Sequence, residues 1–270
     1  MLQSCFYVEI WVYLFNANDL PIMKRNLLLC AVCALSLSTF SLSAQEEDWN
    51  RFKQPRVVTP GDLSTLSAPS DAMVLFDGTN LNAWQNSDGG PAGWTINGDG
   101  SMTVNKSAGD IITRKHFKNF QLHLEWMVPA DITGSAQARG NSGVYLQGIY
   151  EIQILDSYDN LTYPYGSAGS VYNQSCPLVN AMRKPGEWNT YDIIYTAPVF
   201  GTDGYYVRKP LVTIIHNGVL IQNNTEIIGR SESCDFVRDI KFHTDGPIKL
   251  QSHGDPSEPI SFRNIWIREL

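Results

Sequence analysis

The sequence predicts an all-β protein made of two antiparallel sheets packed face to face, and three observations lead there. Apolar and polar residues alternate with a period of two, most cleanly in Gln121-Leu122-His123-Leu124-Glu125-Trp126-Met127. Turn signals punctuate the alternating runs at Asp77-Gly78, Asn97-Gly98, Asp99-Gly100, Asn217-Gly218 and Asp245-Gly246-Pro247. No long stretch carries a helical period. Strands buried on one side need a second sheet to cover them, so many short strands without helices point to a sandwich or jelly roll.

The elements follow in order. Residues 1–22 read as a mis-assigned N-terminal extension, with Met23 as the true initiator. Residues 23–44 read as a signal peptide: basic Lys24-Arg25, an apolar run from Leu27 to about Phe40, then small residues up to Ala44. That run is too short for stable membrane insertion. No lipoprotein box of small residues precedes Cys30 or Cys33. Export to the periplasm or beyond is therefore expected. Residues 45–71, with Pro55, Pro60, Gly61 and Pro69, read as a linker or loosely docked leader. The folded domain is expected over 72–270, with strands at 74–76, 94–97, 101–104, 120–128, 143–146 and 151–155. Further strands are expected at 190–196, 211–216, 219–222, 248–252 and 260–269. Asn217-Gly218 between two apolar runs is a two-residue hairpin signal.

Charge and cysteines exclude some functions. Residues 1–44 hold Glu9, Asp19, Lys24 and Arg25, which cancel, so the mature chain keeps the net charge of −7. An exported acidic protein lacks the basic patch that nucleic-acid binding requires, and no such partner is expected. Only Cys176 and Cys234 remain after residue 44, and an oxidising compartment permits a disulfide between them. Neither cysteine has the short paired spacing of a zinc site. The oligomeric state is not legible.

The chemistry concentrates in Tyr150-Glu151-Ile152-Gln153-Ile154-Leu155-Asp156. Alternation puts Glu151 and Gln153 on one face, and a β-bulge between Gln153 and Asp156 would bring Asp156 to the same side. The spacing resembles the acid-x-acid-x-x-acid pattern of laminarinase-type glucanases, with glutamine in the middle. Glu151 and Asp156 are thus candidate catalytic carboxylates, and His253 is a candidate proton acceptor near neutral pH. Gln251 and His253 are expected to share a strand face. Candidates for holding an oligosaccharide or glycoside are Gln153, Asn141, Tyr145, Gln251, Arg263 and Tyr172, which combine amides, a guanidinium and aromatic faces. Trp188 reads either as another such aromatic or as a core plug at the start of its strand. His123 sits in what looks like surface alternation. Oxygen ligands such as Glu151 and Asp156 suit calcium or magnesium, so a divalent metal stays open although no acidic metal loop is legible.

Assembled in order, these segments resemble the 3-keto-disaccharide hydrolase family over about residues 72–270. The resemblance rests on Leu75-Phe76-Asp77-Gly78-Thr79 with Leu81 and Trp84, and on Phe120 through Glu125-Trp126. It continues through Gly140-Asn141-Ser142-Gly143-Val144-Tyr145-Leu146-Gln147, the Tyr150–Asp156 run, Gly186-Glu187-Trp188-Asn189 and His216-Asn217-Gly218. It ends in Gln251-Ser252-His253-Gly254 and Phe262-Arg263-Asn264-Ile265. The resemblance implies a concanavalin A-like jelly-roll β-sandwich and a substrate with a 3-keto sugar, cleaved by base-assisted elimination and hydration. Two other readings stand beside it: direct hydrolysis by two carboxylates, and a non-catalytic lectin-like module on the same fold.

Overall fold

The computed structural model describes residues 51–57, 68–231 and 242–270. The extension 1–22, the signal peptide 23–44, part of the linker and Cys234 lie outside the described residues, and with Cys234 the expected disulfide. In chain order the strands are β1 (Arg56–Val57), β2 (Met73–Phe76), β3 (Trp84–Asn86), β4 (Thr95–Ile96), β5 (Met102–Thr103), β6 (Ile111–Thr113), β7 (Phe120–Met127), β8 (Ser142–Leu146) and β9 (Tyr150–Ile154). They continue as β10 (Val179–Asn180), β11 (Trp188–Thr196), β12 (Val199–Phe200), β13 (Tyr206–Arg208), β14 (Leu211–His216), β15 (Val219–Glu226), β16 (Lys249–Leu250) and β17 (Ser261–Glu269).

Two antiparallel sheets dominate, as the alternation requires. One runs β15-β14-β11-β7-β17-β5-β4, with β2 also paired to β17, and the other runs β3-β6-β16-β8-β9. Between them lies one hydrophobic core, fed by Leu122, Leu124 and Trp126 of β7, Tyr191, Ile193 and Tyr195 of β11, and Ile152 and Ile154 of β9. Trp126 is fully buried, and truncating a side chain of that size typically costs roughly 3–5 kcal/mol. Residues out of phase with these face away from the core, so Glu151, Gln153, Tyr145 and Gly143 share the outer face of the five-stranded sheet. The free edge of β9 is covered by the chain at 169–172. Gly169 N–H and Tyr172 N–H donate to Gln153 O and Glu151 O at 2.9 and 3.1 Å, and Gln153 N–H donates to Ser170 O at 3.0 Å.

Three expectations need correction. The β8–β9 ladder is regular from Ser142↔Ile154 to Leu146↔Tyr150, so no bulge within it redirects Asp156, which lies beyond the strand end. The bulge instead falls in β17, where register shifts between Arg263 and Trp266 and Asn264 takes φ +46°. Second, β16 ends at Leu250, because the chain then leaves the sheet; Gln251 extends the ladder by one bond, Gln251 N–H to Gly143 O at 3.0 Å, and His253 is in a loop. Third, His123 is only 1% exposed, although it alternates with core residues, because β17 side chains fold over it. Part of the leader lies on the domain: β1 pairs in parallel with β10, and Gln54 Nε2 donates to Thr162 O at 3.2 Å.

The β14–β15 turn is as expected, with Asn217 at φ +54° and Gly218 at φ +80°. Buried Asn217 also donates to Ala181 O and Asn189 Oδ1, each at 2.8 Å, and accepts from Thr190 N–H at 2.8 Å. Asn217→Ala loses these bonds and takes on left-handed strain, an expected loss of about 2–4 kcal/mol in urea unfolding. Asn217→Gly removes only the bonds and should fall between alanine and wild type. Equal losses for the two variants would mean that the backbone conformation contributes nothing.

Candidate active site

The site is built by three adjacent strands. Register sets Lys249 of β16 beside Tyr145 of β8, and Tyr145 beside Glu151 of β9. One row of side chains thus carries an ammonium, a phenol and a carboxyl on a single face. Lys249 Nζ stands 3.6 Å from the centroid of the Tyr145 ring and 3.4 Å from Asp110 Oδ2. The next row is Gln251, Gly143 and Gln153. Gly143 leaves space there: a Cβ would stand 2.6 Å from Glu151 Oε1 and 3.0 Å from Tyr145 Cε2. The Glu151 carboxyl leans into that gap, and the residue is 5% exposed.

Burial governs the ionisation of this row. It pushes the Glu151 carboxyl up to about 7, while the Tyr145 hydrogen bond and the charges of Lys249 and His253 pull it part of the way back. The charge on Asp110 pushes it further up. Burial and the Glu151 charge both raise the Tyr145 phenol above its ordinary range, so Tyr145 keeps its proton. Its hydroxyl accepts from Gln251 Nε2 at 3.0 Å. Glu151 is therefore a carboxyl that gains and loses its proton near neutrality, the property a general base needs.

Around the row lies a set of amides. Gln153 Nε2 donates to Gln137 Oε1 at 3.0 Å, and Asn141 Nδ2 donates to Gln137 O at 2.8 Å. Gln137 Nε2 in turn holds the roofing loop through Thr162 Oγ1 at 2.9 Å and Gly166 O at 3.0 Å. Gln153 Oε1 and Gln251 Oε1 are buried acceptors with no protein partner among the described residues, well suited to sugar hydroxyls. Tyr172 joins this wall: its backbone N–H is bonded to Glu151 O, and its hydroxyl is bonded to that of Tyr163.

The structure brings together Glu151, Tyr145, Gln153, Gln251, Asn141, Tyr172 and His253, and separates three expected members. Asp156 is wholly buried, with Arg139 Nε 2.7 Å from its Oδ2, close as an ion pair but off the hydrogen-bond line. It also accepts from Tyr158 N–H at 3.1 Å. These contacts make it an anchor for the chain after β9. Arg263 and Trp188 lie on the outer face of the eight-stranded sheet. There the Arg263 guanidinium stacks 4.1 Å over the Trp188 ring and its Nε donates to Glu125 Oε2 at 2.7 Å, so Trp188 is not a core plug.

That back face carries its own buried ionic cluster. His123 Nδ1 is 2.7 Å from Asp192 Oδ1, and Asn264 Nδ2 donates to Glu125 Oε1 at 2.8 Å. Burial alone would lower His123, but Asp192 and Glu125 outweigh it and hold it at about 9. Burial likewise works against ionised Glu125, yet His123, Asn264 and Arg263 bring it down to about 2. Every charge there is matched.

Three site members were missed in the sequence: Lys249, Asp110 and Gln137. Lys249 was within reach, because Lys249, Gln251 and His253 recur at every second residue. Asp110 lies in a loop before β6 and Gln137 in a single 3-10 turn before β8, where the period of two carries no information. Among the described residues, no group of three or more His, Cys, Asp or Glu side chains is gathered as a metal would require.

Comparison with known proteins is consistent across sequence and structure. A family model described as a 3-keto-alpha-glucoside-1,2-lyase-like domain matches residues 71–268. A Bacteroides thetaiotaomicron protein named 3-keto-disaccharide hydrolase is 27% identical, over 77% of this chain and 83% of its own length. A crystal structure of a provisionally assigned glycosyl hydrolase from Parabacteroides distasonis is 59% identical, with TM-score 0.75, covering 81% of this chain and 93% of that one. A second such protein from the same organism, 24% identical with TM-score 0.52, covers 74% of this chain and 94% of its own and shares the fold.

The raised Glu151 pKa makes a stability prediction. A carboxyl at about 7 when folded, against roughly 4.3 unfolded, stabilises below the unfolded value and loses that contribution as pH rises through 7. Glu151→Gln has no charge to bury, so its stability relative to wild type should grow between pH 5 and pH 8, by on the order of 3 kcal/mol at most. Thermal unfolding of both proteins across that range measures it. A stability difference independent of pH would contradict the raised pKa.

Proposed function

We propose that this chain, which belongs to the 3-keto-α-glucoside-1,2-lyase-like family, is a carbohydrate-active enzyme that cleaves 3-keto-glycosides by elimination and hydration. The observation that carries the reading is Glu151, nearly out of water and poised near neutrality, with an ammonium and a phenol in the same row. The name of the Bacteroides thetaiotaomicron relative, a 3-keto-disaccharide hydrolase, supports the same substrate class.

The chemistry follows from the substrate. A carbonyl at carbon 3 makes the carbon 2 hydrogen acidic, so a base can remove it and the glycosidic oxygen can leave carbon 1. Glu151 takes that proton. Lys249 and the Tyr145 hydroxyl face the negative charge that develops on the carbon 3 oxygen. Water then adds at carbon 1 of the enone, and carbon 2 takes up a solvent-derived proton, giving net hydrolysis. Gln153, Gln251 and Asn141 hold ring hydroxyls, and Tyr172 borders the sugar. Direct hydrolysis by two carboxylates has less support, because Asp156 is occupied by Arg139 and has no exposed surface. Export belongs to the same proposal, on the strength of the signal-peptide pattern at 23–44.

Incubation with a 3-keto-glucoside and with its unoxidised parent tests the reading. Aglycone release from the keto compound alone is expected, and Glu151→Gln should lower turnover by about 10²–10⁴-fold. Release from the parent would favour direct hydrolysis. Sugar binding without release from either compound would make the protein a binding module.

A further inference from the structure

We propose that His253 passes a proton to the departing glycosidic oxygen, and that Asp255 is the positioning residue that holds its ring for that task. The proposal rests on the elimination reading of the site. Past β16 the chain turns out of the sheet and is tied back by Ser252 N–H, which donates to Asp110 Oδ1 at 2.8 Å. His253 follows, with its side chain 36% exposed and Nδ1 3.0 Å from Asp255 Oδ2. The Asp255 side chain is only 3% exposed. No protein bond to Nε2 is found among the described residues.

Asp255 is built to stay ionised. Its Oδ1 accepts from Ser257 N–H at 2.9 Å and from the Ser257 hydroxyl, and Lys106 Nζ stands 3.7 Å from Oδ2. Burial opposes its charge, but the hydrogen bonds from His253 and Ser257 win and keep the carboxyl below its ordinary range. An ionised acceptor at Nδ1 holds one proton there, so the other proton of the charged ring sits on Nε2, the free donor. The Asp255 backbone N–H also approaches Nδ1, at 3.2 Å; the carboxylate is nearer and charged, and takes the bond.

The loop that carries this pair is held from two sides. Lys106 Nζ donates to Ser257 O at 2.7 Å, and Ser257 Oγ accepts from Gly140 N–H at 2.9 Å. Gly140 is next to site residue Asn141 and packs against Asp156, where a Cβ on Gly140 would stand 3.3 Å from that of Asp156. The Asp156 anchor thus helps fix the His253 loop. The charged groups near His253 are Asp255 and Lys106 in the supporting chain, and Glu151, Lys249 and Asp110 on the sheet side. Its charge is felt at Glu151, so the two groups belong to one site.

The other acids are committed elsewhere. Lys249 and the Tyr145 hydroxyl serve the carbon 3 oxygen, and Asp156 is sealed against Arg139. The step then balances. As Glu151 removes the carbon 2 proton, that electron pair forms the carbon 1–carbon 2 double bond and the carbon 1–oxygen bond breaks. Its electron pair leaves on the glycosidic oxygen, which takes the proton from Nε2. Neutral His253 next accepts a proton from water as the water oxygen bonds to carbon 1, and carbon 2 takes a proton from Glu151, whose own has by then exchanged with solvent.

Two 3-keto-glucosides differing only in leaving group test this: 4-nitrophenyl, which departs without protonation, and methyl, which needs it. For His253→Gln and Asp255→Asn, kcat/KM on the methyl compound should fall at least about tenfold further than on the nitrophenyl compound. Asp255→Glu should recover part of the methyl rate. Nitrogen-15 spectra of the wild type should show the His253 proton on Nδ1, and those of Asp255→Asn should show it moved to Nε2. Should Asp255→Asn fail to fold, the exposed His253 variant carries the leaving-group comparison and the wild-type spectrum carries the tautomer. Equal losses on both substrates, with an active wild type, would overturn the proposal. A wild type inert toward both compounds would overturn the elimination reading, and this proposal with it.

Discussion

The Glu151 carboxyl is held almost out of water on the outer face of a sheet, and the arrangement around it follows from the cost of putting it there. A lone buried carboxylate is strongly disfavoured, so the group either stays protonated or finds compensation. Here compensation is partial: one phenol, one ammonium at a remove, and the charge of His253. The result is a carboxyl balanced between its two forms. Gly143 makes the burial possible by leaving the space into which the carboxyl leans.

The back face shows what full compensation looks like. Glu125 is likewise nearly closed to solvent, though less deeply set, and it sits at about 2 because the bonds from His123, Asn264 and Arg263 outweigh its burial. The two carboxylates occupy comparable positions on opposite faces of one sandwich, with opposite ionisation. A group locked in one state serves structure, tying β17, β7 and β11 together across the cluster. A group left near its midpoint can exchange protons. This contrast is what singles out Glu151 as the candidate base without reference to any relative.

Much of the fold was legible because one-sided burial writes a period of two into the sequence, as in the β7 run, and because Asn217-Gly218 demands its turn. The short strands β3, β6, β12 and β13 were not, since two or three residues cannot establish a period. At the site, Glu151 and Gln153 followed from alternation along β9, and Tyr145 from its residue type in the segment that leads into it. Asp156 was expected beside them through a bulge that β9 does not form, and Arg263 and Trp188 were assigned to the substrate by residue type, which does not reveal that a stacked ring and a carboxylate have already claimed them. The supporting contacts of His253 were hidden for a different reason: Lys106 and Asp255 meet across 149 residues of sequence, a distance over which no local pattern reports.

The central claim is that the carbon 2–hydrogen bond breaks in every turnover and that Glu151 breaks it. A 3-keto-glucoside deuterated at carbon 2, quenched at intervals and weighed by mass spectrometry against an enzyme-free control, tests this most directly. The account predicts that deuterium is lost from the sugar at least as fast as aglycone is released, and that Glu151→Gln suppresses both together. Deuterium retained through cleavage would contradict elimination and return the chemistry to direct attack at carbon 1.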